Sequence, residues 1–305
     1  MFQARASPCC FDRSDGPCGC TGLSVFHSGE SSVSPVGSVG TVASISTVAP
    51  ISTMLSSSVA QEAAVVLLLA TTGAAMLGAL GAAPLLHGGE RPRLVGLAEA
   101  SAAGFMLGVS HLLLTVGLGE HEFNTVLGAG AGVVYTLLVK WYAGTSEFEA
   151  PDDLALSEAA EPTIVRELLQ SALHSAAEGI AIGVGFIIEP RLGLLLALVL
   201  GLHNIGEGVA IADVLVRAGV PRRQAAGLCV VAKMPQVLFA LATFAMSPVL
   251  ARLPALASGF AAGALAFLVL TELLPDAYRK APKLGIAGLA TITAAVVVLL
   301  EGSLV

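Results

Sequence analysis

Two copies of one pattern, H-[SN]-x-x-E-G-[IV]-A-I, stand 29 residues apart as His174-Ser175-x-x-Glu178-Gly179 and His203-Asn204-x-x-Glu207-Gly208. On a helix, His and Glu at i and i+4 share one face, one turn apart. Imidazole nitrogen and carboxylate oxygen suit zinc, and they suit Fe(II), Mn(II), Co(II) and Ni(II) as well. Each pair is surrounded by residues as apolar as a membrane span. An ionisable group in such a setting is costly and marks a functional site by default. A lone histidine within a span is more often a hydrogen-bond partner for a neighbouring helix than a ligand. Two His/Glu pairs at matched depth shift the balance towards a divalent metal site at mid-membrane. Together they offer two imidazoles, two carboxylates and the Ser175 and Asn204 oxygens.

Other side chains are candidates for the path to and from such a site. His111, with Ser110 beside it, either lines the path or packs between helices. Glu272 and Asp276 flank Leu273-Leu274-Pro275, where they either receive a departing ion or pair with Arg279 and Lys280 at the interface. Asp213 lies one to two turns beyond Glu207 and is placed to serve likewise. His121 and Glu122 fall in a loop, where an ordinary wet surface explains them equally well.

The elements that must position these groups are membrane helices. In 305 residues, 55% are hydrophobic and 12% charged, and mean hydropathy is +0.84; a soluble domain carries about 25% charged residues. With about 20 apolar residues needed per span, eight are expected: 63–86, 95–118, 123–144, 165–188, 192–215, 222–247, 254–276 and 283–304. Loops after odd-numbered spans hold Arg91, Arg93, Lys140, Arg166, Arg217, Arg222, Arg223, Arg279, Lys280 and Lys283; loops after even-numbered spans hold Arg191 and Arg252. This asymmetry predicts odd loops in the cytoplasm and both termini extracytoplasmic or lumenal. Residues 1–60, rich in Ser, Gly, Val and Pro, are expected to be a disordered tail. Cys9, Cys10, Cys18 and Cys20 lack the paired spacing of a zinc knuckle. The tail composition also fits a transit peptide, against which Asp12, Asp15 and Glu30 count. The acidic stretch 145–166 is expected to be a solvated cytoplasmic linker. Gly104-Phe105-x-x-Gly108 in the second span recurs as Gly259-Phe260-x-x-Gly263 in the seventh, which runs the opposite way; inverted repeats have this relation, and chance is its rival.

The paired motifs resemble the H-N-x-P-E-G signatures of ZIP-type (Zrt-, Irt-like) divalent metal transporters, closest to the GufA-like branch, over residues 60–305. The resemblance implies an all-α integral membrane protein with eight transmembrane helices in a 3+2+3 inverted-repeat bundle, assembled as a homodimer. It implies His174, Glu178, His203, Asn204 and Glu207 as metal ligands. The chain departs from the pattern in three places. Ser175 replaces an Asn and leaves a weaker hydroxyl. Ala177 and Gly206 replace prolines, so a kink near the site has to come from Gly206 or be milder. In the sixth span Met234-Pro235 stands where a Glu-Pro pair often serves a second metal, with Lys233 before it and Gln236 after. A lysine halfway along a span needs a partner. It is expected to pair with Glu178 or Glu207, to fill the space of a second ion and leave the site mononuclear, and to repel an arriving cation.

The resulting expectation is a carrier that moves a divalent cation, zinc first with iron or manganese as alternatives, into the cytoplasm. The metal is cargo, and no cofactor is expected. The lipid bilayer and metal ions are the partners; no nucleic acid is among them. An intramembrane metal-dependent hydrolase is a rival, but the sequence marks no separate general base or oxyanion donor for it. A non-transporting metal sensor is another, favoured by the altered motifs.

Overall fold

A computed structural model describes residues 58–83, 92–145 and 161–304. The expected tail, apart from its last three residues, and most of the acidic linker lie outside these described residues. The helices are α1 (Ser58–Gly81), α2 (Pro92–Glu120), α3 (Glu122–Thr145), α4 (Glu161–Ile188), α5 (Pro190–Arg217), α6 (Arg222–Ala232), α7 (Met234–Ala245), α8 (Ser247–Leu250), α9 (Pro254–Leu268), α10 (Leu274–Lys280) and α11 (Lys283–Leu304). Among the described residues, eight spans are long and apolar enough to cross a membrane, with α6–α7 forming the sixth and α9–α10 the seventh.

Proline sets several of the helix starts. Pro92 opens α2, and Pro190 and Pro254 occupy first-turn positions of α5 and α9, where the missing N–H is not needed and the fixed φ already suits a helix. α5 ends in a left-handed turn at Gly219 (φ 95°). There the Val220 N–H reaches the Leu215 carbonyl and the Gly219 N–H that of Val216, so the last carbonyls of α5 are satisfied before Pro221 starts the next span.

α4 and α5 occupy the centre. In each, 72% of the span is buried, against 22% in the third and eighth spans, whose Leu137, Trp141, Ile292 and Leu299 face outward. In a bilayer apolar surface does not drive helices together, so close approach of backbones has to do it. The glycine ending each motif supplies that approach: a side chain at Gly179 would run into the Gln236 carbonyl on α7, and one at Gly208 into the Gly78 carbonyl on α1. Gly104 and Gly108 lie against Ala290, Thr293 and Val297 of α11, while Gly259 and Gly263 lie against Thr125 and Ala129 of α3.

The backbone is irregular away from the two motifs. α5 runs unbroken through Gly206, whose lack of a side chain instead admits the Ala98 carbonyl of α2. The breaks lie in the sixth and seventh spans. The sixth is interrupted at Lys233, two residues before Pro235, which has no N–H to continue the ladder. The seventh widens into a π-helical turn, Val269–Leu273, just before Pro275; such turns often accompany functional sites.

Candidate metal centre

Glu178 on α4 and His203 and Glu207 on α5 converge, with one ligand atom from each lying within 4.8 Å of the others. His203 Nε2 is 3.0 Å from Glu178 Oε1 and 3.0 Å from Glu207 Oε2. Its other nitrogen, Nδ1, lies 2.9 Å from the Ala102 carbonyl of α2. A carbonyl only accepts, so Nδ1 carries the proton and donates. Nε2 is thereby left to face two carboxylate oxygens. Three groups rich in lone pairs meet at one point, and they repel one another unless a cation or a shared proton sits among them.

Lys233 supplies such a charge. Its ammonium hydrogen-bonds to Glu207 and lies 3.4 and 3.5 Å from the two Glu178 oxygens. Lys233, Glu178 and His203 are completely buried. The lysine therefore bridges both carboxylates rather than choosing one. The remaining oxygen of Glu207 accepts from Ser171 Oγ at 2.7 Å, a residue one turn before Ser175 on the same helix.

Asn204 lies at the edge of this cluster. Its Nδ2 donates to the Ala74 carbonyl at 2.9 Å and to Gln236 Oε1 at 2.8 Å. Its Oδ1 is buried without a partner, as are Ser175 Oγ and Gln236 Nε2. His174 is turned away. Its Nδ1 is held by the Gln170 carbonyl at 3.0 Å, one turn earlier, and this rotates Nε2 to within 3.1 Å of Glu272 Oε2 on the π turn. The two imidazoles therefore do not meet at one point: His203 joins the carboxylates, and His174 stands one step along α4.

That step leads into a cavity of about 50 Å³ lined by Glu207, Ser171, His174, Glu272, Glu99 and Asp276, with Glu167 and Gln170 completing its polar wall. Glu272 receives Gln170 Nε2 at 2.8 Å and pairs with Lys140 of α3; Glu99 pairs with Lys280, and Asp276 with Arg279 at 3.0 Å. Asp213 is buried but tied to Arg217 one turn on, outside the cavity lining. His111 is exposed on the outer surface of α2, because the helical period that turns Ser110 inward to the Ala262 carbonyl turns its neighbour out. Glu99 and Ser171 were missed in the sequence. A lone acid in the second span and a Ser one turn ahead of the first motif were the available signals.

No family model matches the chain. Over 219 residues it is 32% identical to an Arabidopsis thaliana protein named "Putative zinc transporter". This relative's name is consistent with the resemblance to ZIP-type transporters and does not distinguish the GufA-like branch. The alignment covers 71% of this chain and 35% of the relative, so the chain spans about a third of the length of the protein it matches. The plant relative's name concerns metal transport, and in this chain the buried groups at the centre of the bundle are imidazole and carboxylate.

Proposed function

We propose that this protein carries a divalent metal cation, zinc first, across a membrane into the cytoplasm, binding it at Glu178, His203 and Glu207. The observation that carries the reading is the convergence of His203 Nε2 on two carboxylate oxygens at 3.0 Å in a buried site. The set suits a borderline divalent ion. Asn204 Oδ1, buried and unpartnered, has a lone pair free for the same ion. The arriving metal exchanges water for these ligands and then leaves through the cavity, passing His174 and Glu272 and then the Glu99 and Asp276 carboxylates. By the distribution of Lys and Arg, the cavity opens to the cytoplasm.

An inverted repeat underlies the alternation of access. α1 packs on α5 as α7 packs on α4, and α3 packs on α9 as α11 packs on α2. The glycine pairs of the second and seventh spans make the corresponding close contacts. One half rocking against the other around a fixed site is the motion such symmetry supports.

Zinc uptake by proteoliposomes containing the purified full chain tests the function. Wild type should accumulate zinc, while Glu207→Ala and His203→Ala should lose at least nine-tenths of the rate and remain folded in the membrane. Full uptake in both variants rejects this site. Ligands that bind metal also bind protons, so zinc occupancy should fall as the pH is lowered; occupancy that rises on acidification contradicts the ligand set.

A further inference from the structure

Resting on that reading, we infer that Lys233 is a tethered competitor of the transported ion: its ammonium occupies the carboxylate bridge in the empty site and must be driven from Glu207 each time a metal binds. The argument starts from where the charge lies. Lys233 Nζ is bonded to Glu207 and within 3.4 Å of Glu178 Oε1, the two carboxylates that would have to receive a divalent ion. One ammonium in a completely buried position cannot share those oxygens with a second cation at contact distance, because at low dielectric the repulsion between them is severe. Binding is therefore an exchange of one cation for another.

The local backbone fits this role. Lys233 is the junction of α6 and α7, where the ladder is interrupted, and its stem passes Gly78 with the Cγ carbon 3.6 Å from where a Cβ would be. Gly78 places no side chain against the four-carbon stem. The exchange has two consequences for transport. The empty carrier keeps its two carboxylates neutralised by a charge that cannot leave, so it need not await a metal before changing conformation. The bound metal faces a cation on a short tether, ready to take back the same oxygens, which weakens binding and speeds release.

The test is equilibrium binding of zinc to the purified full chain in detergent, comparing wild type, Lys233→Met, Lys233→Gln and Glu207→Gln. Removing the ammonium should tighten zinc binding at least tenfold in both lysine variants, and should slow zinc release on chelation. Thermal stability supplies a second reading: the lysine variants without metal should melt below wild type, and zinc should raise their Tm by more than it raises that of wild type. Affinity equal to or weaker than wild type in a folded lysine variant overturns the inference. If a lysine variant is recovered folded only when zinc is present, the inference stands. If neither folds with or without zinc, Lys233 is a structural counter-charge and the inference fails. Glu207→Gln separates the two levels: if it binds zinc as wild type does, the site itself is wrong, whereas loss of binding there with unchanged Lys233→Met sinks only the lysine's role.

Discussion

His203 has one ring nitrogen committed to the Ala102 carbonyl and the other presented to Glu178 and Glu207, so its orientation is set before any ion arrives. Such outer partners fix ring tautomer and orientation, and losing one commonly costs 10–100-fold in affinity (about 1.4–2.7 kcal/mol). Ser171 has the same relation to Glu207, whose second oxygen it holds. Ser171→Ala should accordingly weaken zinc binding by about tenfold without abolishing it, and Ser171→Thr should retain most of the affinity. Titration of purified protein with zinc reads both, and an unchanged affinity in Ser171→Ala would show that Glu207 is positioned without the hydroxyl. Motif spacing makes some of these placements legible and leaves others out of reach. The motif spacing pointed to Glu178, His203 and Glu207, and the cost of a buried ammonium pointed to Lys233 as their partner. His174 was read as their equal. Its rotation towards Glu272 depends on the Gln170 carbonyl and on how α4 faces the π turn, which motif spacing does not encode.

At the scale of elements, helix ends were legible because apolar runs stop where prolines and charges stand. The second, third, fifth and eighth spans begin and end within two or three residues of expectation. The break at Lys233 and the π turn at Val269–Leu273 follow from Pro235 and Pro275, yet α5 passes Gly206 unbroken. A glycine weakens a helix without forcing it to kink, and here close packing on Ala98 accounts for it. The motif glycines carry a heavier demand. A Cβ at Gly208 would collide with backbone at Gly78, and one at Gly179 with backbone at Gln236, and backbone cannot rotate aside as a side chain can. Gly208→Val and Gly179→Val should each separate a central helix from its neighbour and destabilise the protein by about 1–3 kcal/mol. The measurement is thermal melting in detergent, with Gly130→Val, where no heavy atom lies near, as the control. Equal melting of all three would mean that the central helices tolerate more separation than their packing indicates.

At the scale of the whole molecule, α4 and α5 form a buried centre, and the polar cavity runs from it towards the end of the bundle that carries Arg217, Arg279 and Lys280. Its acids are not bare. Lys140 reaches Glu272 from α3 and Lys280 reaches Glu99 from the end of the seventh span, so ion pairs between elements flank the cavity and a departing cation has to compete with those ammonium groups for its carboxylates. Ala210 lines this cavity and offers a probe of its sidedness. With Cys9, Cys10, Cys18 and Cys20 replaced by Ser, an Ala210→Cys protein in sealed vesicles should react with a membrane-impermeant thiol reagent added from the cytoplasmic face. It should react little from the other face, where a tag on the N-terminus should be reachable instead. Cys229 is buried and should contribute only a small background, measured in the parent without Ala210→Cys. Zinc bound one turn away at Glu207 should slow the labelling several-fold. Labelling that comes only from the face where the N-terminal tag is found would overturn the proposed exit to the cytoplasm, because the cavity would then open away from the end that carries Arg217, Arg279 and Lys280.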